Sequence, residues 1–201
     1  MPAQSVTVEG GNVYYRASGQ STPRRVTSSG HDRDASLSPD GRTIAFVRGT
    51  PGDSVQTALG PDEATSVWVV RTDGSGARML VRGRAAGEPE RALALMSSPQ
   101  FSPDGKRLYF LSVAWVTSGA VHAVDVASGE ERFVLPGLSV EVVPRGHYAG
   151  HLLVTQHRYF IIGGSYDWVW LFTPDGREVG PIGESDAAVA TFREDFEDDG
   201  P

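Results

Sequence analysis

A repeat limits what this chain can become more than any other feature in it. The stretch Ser36-Leu37-Ser38-Pro39-Asp40-Gly41-Arg42-Thr43-Ile44-Ala45-Phe46-Val47 returns 64 residues later as Gln100-Phe101-Ser102-Pro103-Asp104-Gly105-Lys106-Arg107-Leu108-Tyr109-Phe110-Leu111. Each copy reads as strand, Ser-Pro-Asp-Gly turn, strand. Proline presets φ, aspartate can bond its own backbone, and glycine accepts the left-handed conformation that closes a hairpin. A unit repeated in this way cannot bury its own faces, so the copies must stack on one another.

An alternating strand and a second glycine turn follow each copy. These are Val67-Trp68-Val69-Val70-Arg71 before Thr72-Asp73-Gly74, and Val121-His122-Ala123-Val124-Asp125 before Ala127-Ser128-Gly129. A degenerate third copy occupies residues 140–143, 151–157 and 168–172, the last leading into Thr173-Pro174-Asp175-Gly176. Its first turn has become Pro144-Arg145-Gly146-His147-Tyr148-Ala149-Gly150. Ahead of the first copy, residues 12–27 match only the second half of a unit. The expected fold class is therefore all-β: a partial (half) β-propeller of three to four four-stranded antiparallel blades over residues 1–183, followed by an acidic tail, 184–201. The 24 glycines and 13 prolines agree with many turns and with no long helix outside that tail.

The two Ser-Pro-Asp-Gly segments, each followed by a strand and a glycine turn, resemble the repeat of the TolB-like β-propeller family. What the resemblance implies is architecture, because the matching residues build turns. Blades of this kind also form the non-catalytic propellers of prolyl-oligopeptidase-like peptidases, so the repeat names no activity.

Lettering the strands of a blade a to d from the hub outward separates two faces. The a–b turns at Pro39, Asp40, Gly41 and Pro103, Asp104, Gly105 share one face with the c–d turns at Gly74, Gly129 and Gly176, and all are short. The b–c and d–a connections, residues 49–66, 82–97, 112–120 and 158–166, lie on the other. Long connections on a rigid scaffold collect binding residues. The candidates there are His31, Asp32, Arg33 and Asp34 at the first innermost strand, Trp115 in the second b–c connection, and Tyr166, Asp167 and Trp168 in the third. Aromatic, arginine and carboxylate side chains together make a recognition surface. Each has a structural alternative, with Asp32 and Asp34 tying loops and Trp168 packing between blades.

The formal charge of −7 is unevenly placed. Residues 184–201 carry seven acids against one base and read as a solvated, partly frayed end, compatible with a short helix over residues 187–196. The remaining 18 acids and 17 bases form no basic stripe, so no nucleic-acid partner is expected. Zero cysteines exclude disulfides, thiol nucleophiles and zinc-thiolate sites. No apolar run is long enough to span a bilayer, and no membrane insertion is expected. Met1-Pro2-Ala3-Gln4-Ser5 has no signal-peptide character, yet Ala3-Gln4 resembles a mature end after cleavage, which suggests a periplasmic or secreted protein.

His147 and His151 would pair on a helix, but their glycine neighbours make a turn, and neither metal nor cofactor is expected. Catalytic motifs such as the nucleophile elbow, the zinc-protease helix and the P-loop are missing. The reading that follows is a non-catalytic module presenting the long-loop face to a protein, peptide or glycan. One alternative is a glycoside or peptide hydrolase using carboxylates such as Asp32, Asp34, Asp125 and Asp167. A second is an assembly subunit without a ligand. Three blades and a half leave two strand edges and two blade faces uncovered, so a homodimer is expected.

Overall fold

The computed structural model describes residues 3–196. The last acids of the tail, Glu197, Asp198 and Asp199, lie outside the described residues, as do Met1 and Pro2 of the leader reading. The described residues form one three-stranded and three four-stranded antiparallel sheets, each a meander in chain order. An N-terminal sheet comprises β1 (Ser5–Glu9), β2 (Asn12–Arg16) and β3 (Arg24–Arg25). The first blade is β4 (Asp32–Leu37), β5 (Thr43–Thr57), β6 (Gly60–Arg71) and β7 (Arg78–Arg82). The second is β8 (Ser97–Phe101), β9 (Arg107–Trp115), β10 (Ser118–Asp125) and β11 (Glu131–Gly137). The third is β12 (Glu141–Val142), β13 (Leu152–Tyr159), β14 (Ser165–Phe172) and β15 (Glu178–Gly183), followed by the helix α1 (Asp186–Phe196).

The three sequence copies fall on the three blades, and residues 12–27 supply β2 and β3. The structure adds β1, whose short Val6/Val8 alternation has no turn motif ahead of it. Gln4, just before β1, reaches the tight turn at Gly41, while Gly11 after it lies against Gly30 at the entrance to β4. β1 thus runs opposite to β4 and takes the b position, so among the described residues the N-terminal sheet has strands b, c and d and no innermost strand.

Side chains alternate between the two faces of a strand, and in the blades both faces are buried. Ile44 and Phe46 of β5 turn toward the N-terminal sheet, where they meet Val13, Val6 and Val8. Ala45 and Val47 turn the other way, into a cluster with Phe101, Leu108 and Phe110 of the second blade. Tyr109, Val121 and Leu135 then join the second blade to Leu152, Val154, Trp170 and Phe172 of the third. The innermost strand of the third blade, β12, has only two residues, and a side chain extends the pairing. Gln100 of β8 donates from Nε2 to the Val140 carbonyl (2.8 Å) and accepts at Oε1 from the Val142 N–H (3.0 Å).

Two expectations are corrected at the ends of the stack. Over residues 186–196 the tail is a packed helix. Val189, Phe192 and Phe196 cover Val143, Leu153, Val169 and Leu171, the face of the third blade turned away from the second. Phe192 is buried, Tyr148 stacks on it at 5.7 Å, and Arg193 bonds Glu141 at 2.5 Å. Of the two blade faces expected to be bare, this one is therefore covered. At the other end, the N-terminal sheet turns Val6, Val8, Val13 and Tyr15 inward. Ser5, Thr7, Asn12, Tyr14 and Arg16 take the opposite face, with Arg16 donating to Ser5 Oγ at 3.2 Å. That outer face is polar.

Candidate binding face

The tight-turn face is built twice over from the same bonds. In the first blade, Ser38 Oγ donates to Asp40 Oδ1 (2.6 Å), Asp40 accepts from the Arg42 N–H (3.1 Å), and Ser38 Oγ accepts from the Thr43 N–H (2.9 Å). In the second, Ser102, Asp104, Lys106 and Arg107 repeat these contacts at 2.6, 3.1 and 2.9 Å. Gly41 and Gly105 sit at φ 69° and 70°, where a side chain is strained. The serine hydroxyl, and after it the backbone N–H, holds Asp40 and Asp104 below the usual carboxylate range. In the c–d turns Asp73 is lowered first by the Ser75 hydroxyl and Asp125 first by the Ser128 backbone N–H, and Gly74, Gly129 and, in the third blade, Gly176 close the turns at φ 87°, 76° and 85°. These polar groups are engaged in shaping the backbone.

The residues singled out on the other face divide between two blades. Asp32 has no exposed side chain. It holds Arg48 through two bonds, 2.6 and 3.1 Å, while the guanidinium lies over Phe46 and Trp68. A carboxylate so enclosed ties β4 to β5. Arg33 pairs with Glu63 at 2.9 Å, and His31 is exposed at the entrance to β4. Asp34, at φ 51°, sits in a bulge of β4 and accepts from the N–H of Ser98, its counterpart 64 residues on, itself at φ 53°. The two innermost strands thus share a bulge and are linked through it.

The second group is at the third blade. Tyr166 and Trp168 form an aromatic ladder with Phe160, with ring spacings of 4.6 and 5.2 Å, and Trp168 leads down into the core between blades. Asp167 bonds His157 Nδ1 at 2.6 Å. Trp115, at the end of β9 on the second blade, packs edge-on against Phe133 at 6.4 Å. The structure gathers Tyr166, Asp167 and Trp168 on one hairpin and leaves His31 to Asp34 two blades away. Residues 49–66, expected as a loop, are mostly hairpin, with β5 and β6 paired out to Thr57 and Gly60.

Of the carboxylates of the hydrolase alternative, Asp125 and Asp167 are not brought together. Asp125 caps a turn on the tight-turn face, while Asp167 is near the start of β14 on the opposite one. A buried dyad does exist elsewhere: His122 Nδ1 meets Glu131 Oε1 at 2.6 Å, and Arg84 reaches Glu131 Oε2 at 2.6 Å. Burial alone would raise the Glu131 carboxyl, and the bonds from His122 and Arg84 outweigh it and hold it below the usual range. His122 is wholly buried between Phe110 and Phe133, out of reach of a substrate. His147 and His151 likewise pack in a turn, both edge-on to Tyr148.

Sequence reasoning missed the apolar ends of the b–c hairpins. Among the described residues nine large hydrophobic side chains are exposed, and seven are on this face: Leu59, Val116, Leu138, Tyr159, Phe160, Ile161 and Ile162. Ile161 and Ile162 are fully exposed, at 105% and 98%. They are the central residues of the turn that closes β13 onto β14, with Gly163 N–H donating to the Phe160 carbonyl at 3.1 Å. Turn centres normally carry Gly, Pro, Asn or Asp. The available signal was the run Tyr159-Phe160-Ile161-Ile162 ending at Gly163-Gly164, an apolar strand pattern placed where a polar turn belongs.

Blades in sequence order, repeated Asp-Gly turns and a stack that stops short of a closed disc define an open β-propeller of TolB-like fold. The chain is similar to a TolB-type protein of Agrobacterium tumefaciens, with 16% identity and a TM-score of 0.55 over 90% of this chain and 58% of that one. It is similar to the dipeptidyl peptidase 4 of Porphyromonas gingivalis (12% identity, TM-score 0.58, 91% of this chain and 31% of that one). It is also similar to the β-propeller domain of the Trilobed protease from Pyrococcus furiosus, described as having an open velcro topology (13%, 0.51, 78% and 43%). The chain spans less than two thirds of each of these proteins. No protein-family model matches it, and no curated protein matches it in sequence.

Proposed function

We propose that this chain is a non-catalytic binding module whose working surface is the long-loop face, acting in a bacterial envelope or outside the cell. The concentration of exposed apolar side chains at the b–c hairpin ends carries this reading. Contiguous exposed apolar surface marks interaction sites, because leaving it in water is costly to a free protein. The engagement of Asp32, Asp34 and Asp167 with neighbouring groups supports a binding role over hydrolysis. Such a face meets a protein, peptide or glycan partner by excluding water and stacking aromatic rings more than by reading charge.

Hydrogen–deuterium exchange in the presence of an envelope fraction tests the reading. Slowed exchange is expected across residues 112–120 and 157–168 and none across 38–43 and 102–107. Protection confined to the tight turns would invert the assignment. A panel of glycoside and peptide substrates should show no turnover, and turnover abolished by Asp167→Asn would reinstate the hydrolase.

The covered third-blade face removes part of the case for a homodimer, and we propose that the chain works as a monomer. Light scattering near 21.5 kDa at high concentration is the expected result, and twice that mass would restore the dimer. Phe192→Ser uncovers Val143, Leu153 and Leu171 and should bring on concentration-dependent association.

A further inference from the structure

The β13–β14 hairpin is ordered by polarity from apex to base. At the apex are Ile161 and Ile162, which touch nothing else in the chain to a degree that covers them. Gly163 and Gly164, at φ 99° and 87°, complete the turn. One step down are exposed Tyr159 and Phe160, the latter backed by Tyr166 and Trp168. Ionisable groups begin only below that level, and they are paired: His157 with Asp167 at 2.6 Å and Arg158 with Glu178 at 2.6 Å. From Tyr159 to Tyr166 there is no ionisable acid or base other than the two tyrosines.

Folding does not explain the apex. β-Branched residues are poorly suited to turn centres, and the closing glycines already supply the left-handed conformations. At their other ends the same two strands turn through Tyr148-Ala149-Gly150 and Asp175-Gly176, and the β1–β2 hairpin on the long-loop face closes with Gly10-Gly11. The aliphatic apex, aromatic collar and charged base reproduce the order of environments across a membrane interface, where acyl chains lie below the headgroups and Tyr and Trp favour the boundary.

We infer that the β13–β14 hairpin seats its tip in the interfacial zone of an uncharged lipid bilayer, with Ile161 and Ile162 below the headgroups and Tyr159, Phe160 and Tyr166 at their level. The inference rests on the reading of the long-loop face as the working surface and names what this hairpin meets there. The sequence, having no apolar run long enough to span a bilayer, gave an expectation of no membrane insertion, and the shallow anchoring inferred for this apex departs from it. The lipid is uncharged because the cation of the hairpin, Arg158, is already held by Glu178 and Gln156 and leaves no free positive charge for an anionic headgroup.

Flotation with phosphatidylcholine vesicles tests this on the full chain. Wild type should float with the lipid, and partitioning should change by no more than about twofold on adding salt, since no net charge is used. Ile161→Ser/Ile162→Ser should lower partitioning by about tenfold per isoleucine, with an unchanged circular dichroism spectrum. Ile161→Trp should float at least as well as wild type, because the indole suits the interface. Absence of flotation, flotation that needs phosphatidylglycerol and is released by salt, or flotation kept by the double serine variant would each overturn the inference. Bare vesicles combined with exchange protection of residues 157–168 by membrane-free envelope proteins would overturn the lipid and leave the working face standing. Bare vesicles with no protection anywhere on that face would overturn both.

Discussion

The same strands end at two faces of the blade stack, and the two ends are made of different material. On the tight-turn face four strand pairs close with Asp-Gly, the carboxylates of Asp40, Asp73 and Asp104 accept backbone N–H groups, and the a–b turn bonds of the first blade recur in the second within the same distances. On the long-loop face the closures differ in length and composition from blade to blade, and their apices are apolar and exposed. Repetition marks what every blade needs in order to fold. Divergence marks what a single blade is free to carry, and the third blade carries the most.

Glycine substitutions offer the largest test of this contrast. At Gly176, on the tight-turn face, φ is +85° and an added Cβ would stand 2.8 Å from the Val134 carbonyl oxygen. At Gly163, on the long-loop face, φ is +99° and nothing lies within 4 Å. Gly176→Val should cost about 2–4 kcal/mol, combining backbone strain with collision. Gly163→Val should cost about 1–2 kcal/mol for strain alone. Urea unfolding midpoints measure both, and equal losses would break the distinction.

Carboxylates come next. Asp104→Ala removes the acceptor of the Ser102 hydroxyl and the Lys106 N–H and should destabilise by about 1–2 kcal/mol. Asp167→Ala removes only an exposed pair with His157, so its midpoint should move by less than about 0.5 kcal/mol.

Acid separates the faces more gently. The folded pKa values of Asp40 and Asp104 lie below the ordinary aspartate value, lowered first by the serine hydroxyls. Their stabilisation is therefore complete above about pH 4 and fades as pH falls through the lowered folded values. These turns face solvent, so the contribution is small. A urea midpoint series in acid should decline less steeply for Asp40→Asn/Asp104→Asn than for wild type, and parallel curves would show that the turn carboxylates bear no part of it.

Most of the architecture was legible in the sequence because blade formation depends on local chemistry. The Ser-Pro-Asp-Gly turns at Pro39 and Pro103 set the strand boundaries, and the two-residue alternation of Ile44 to Val47 set the faces. β1 and α1 were less legible for a physical reason. Val6 and Val8 make a strand only once the first blade offers a surface, and Phe192 reads as an isolated aromatic in an acidic stretch until the third blade lies beneath it. Of the candidate site, the placement of Tyr166, Asp167 and Trp168 on the long-loop face was legible, and the structure sets them on the hairpin below the exposed Ile161 and Ile162. Asp32 was drawn inside by Arg48, a partner 16 residues away that only strand register brings beside it. Ile161 and Ile162 were passed over because an apolar run is ordinarily core, and only the fold shows that this one ends in solvent.

The division of roles between the faces is tested most directly by the urea midpoint of Ile161→Ser/Ile162→Ser. Two isoleucines that support no part of the fold can be made polar without loss, so the midpoint should match wild type within about 0.5 kcal/mol. A fall of about 2 kcal/mol or more, as for the removal of buried side chains, would mean that the apex packs within the protein, and would contradict the assignment of the long-loop face to binding.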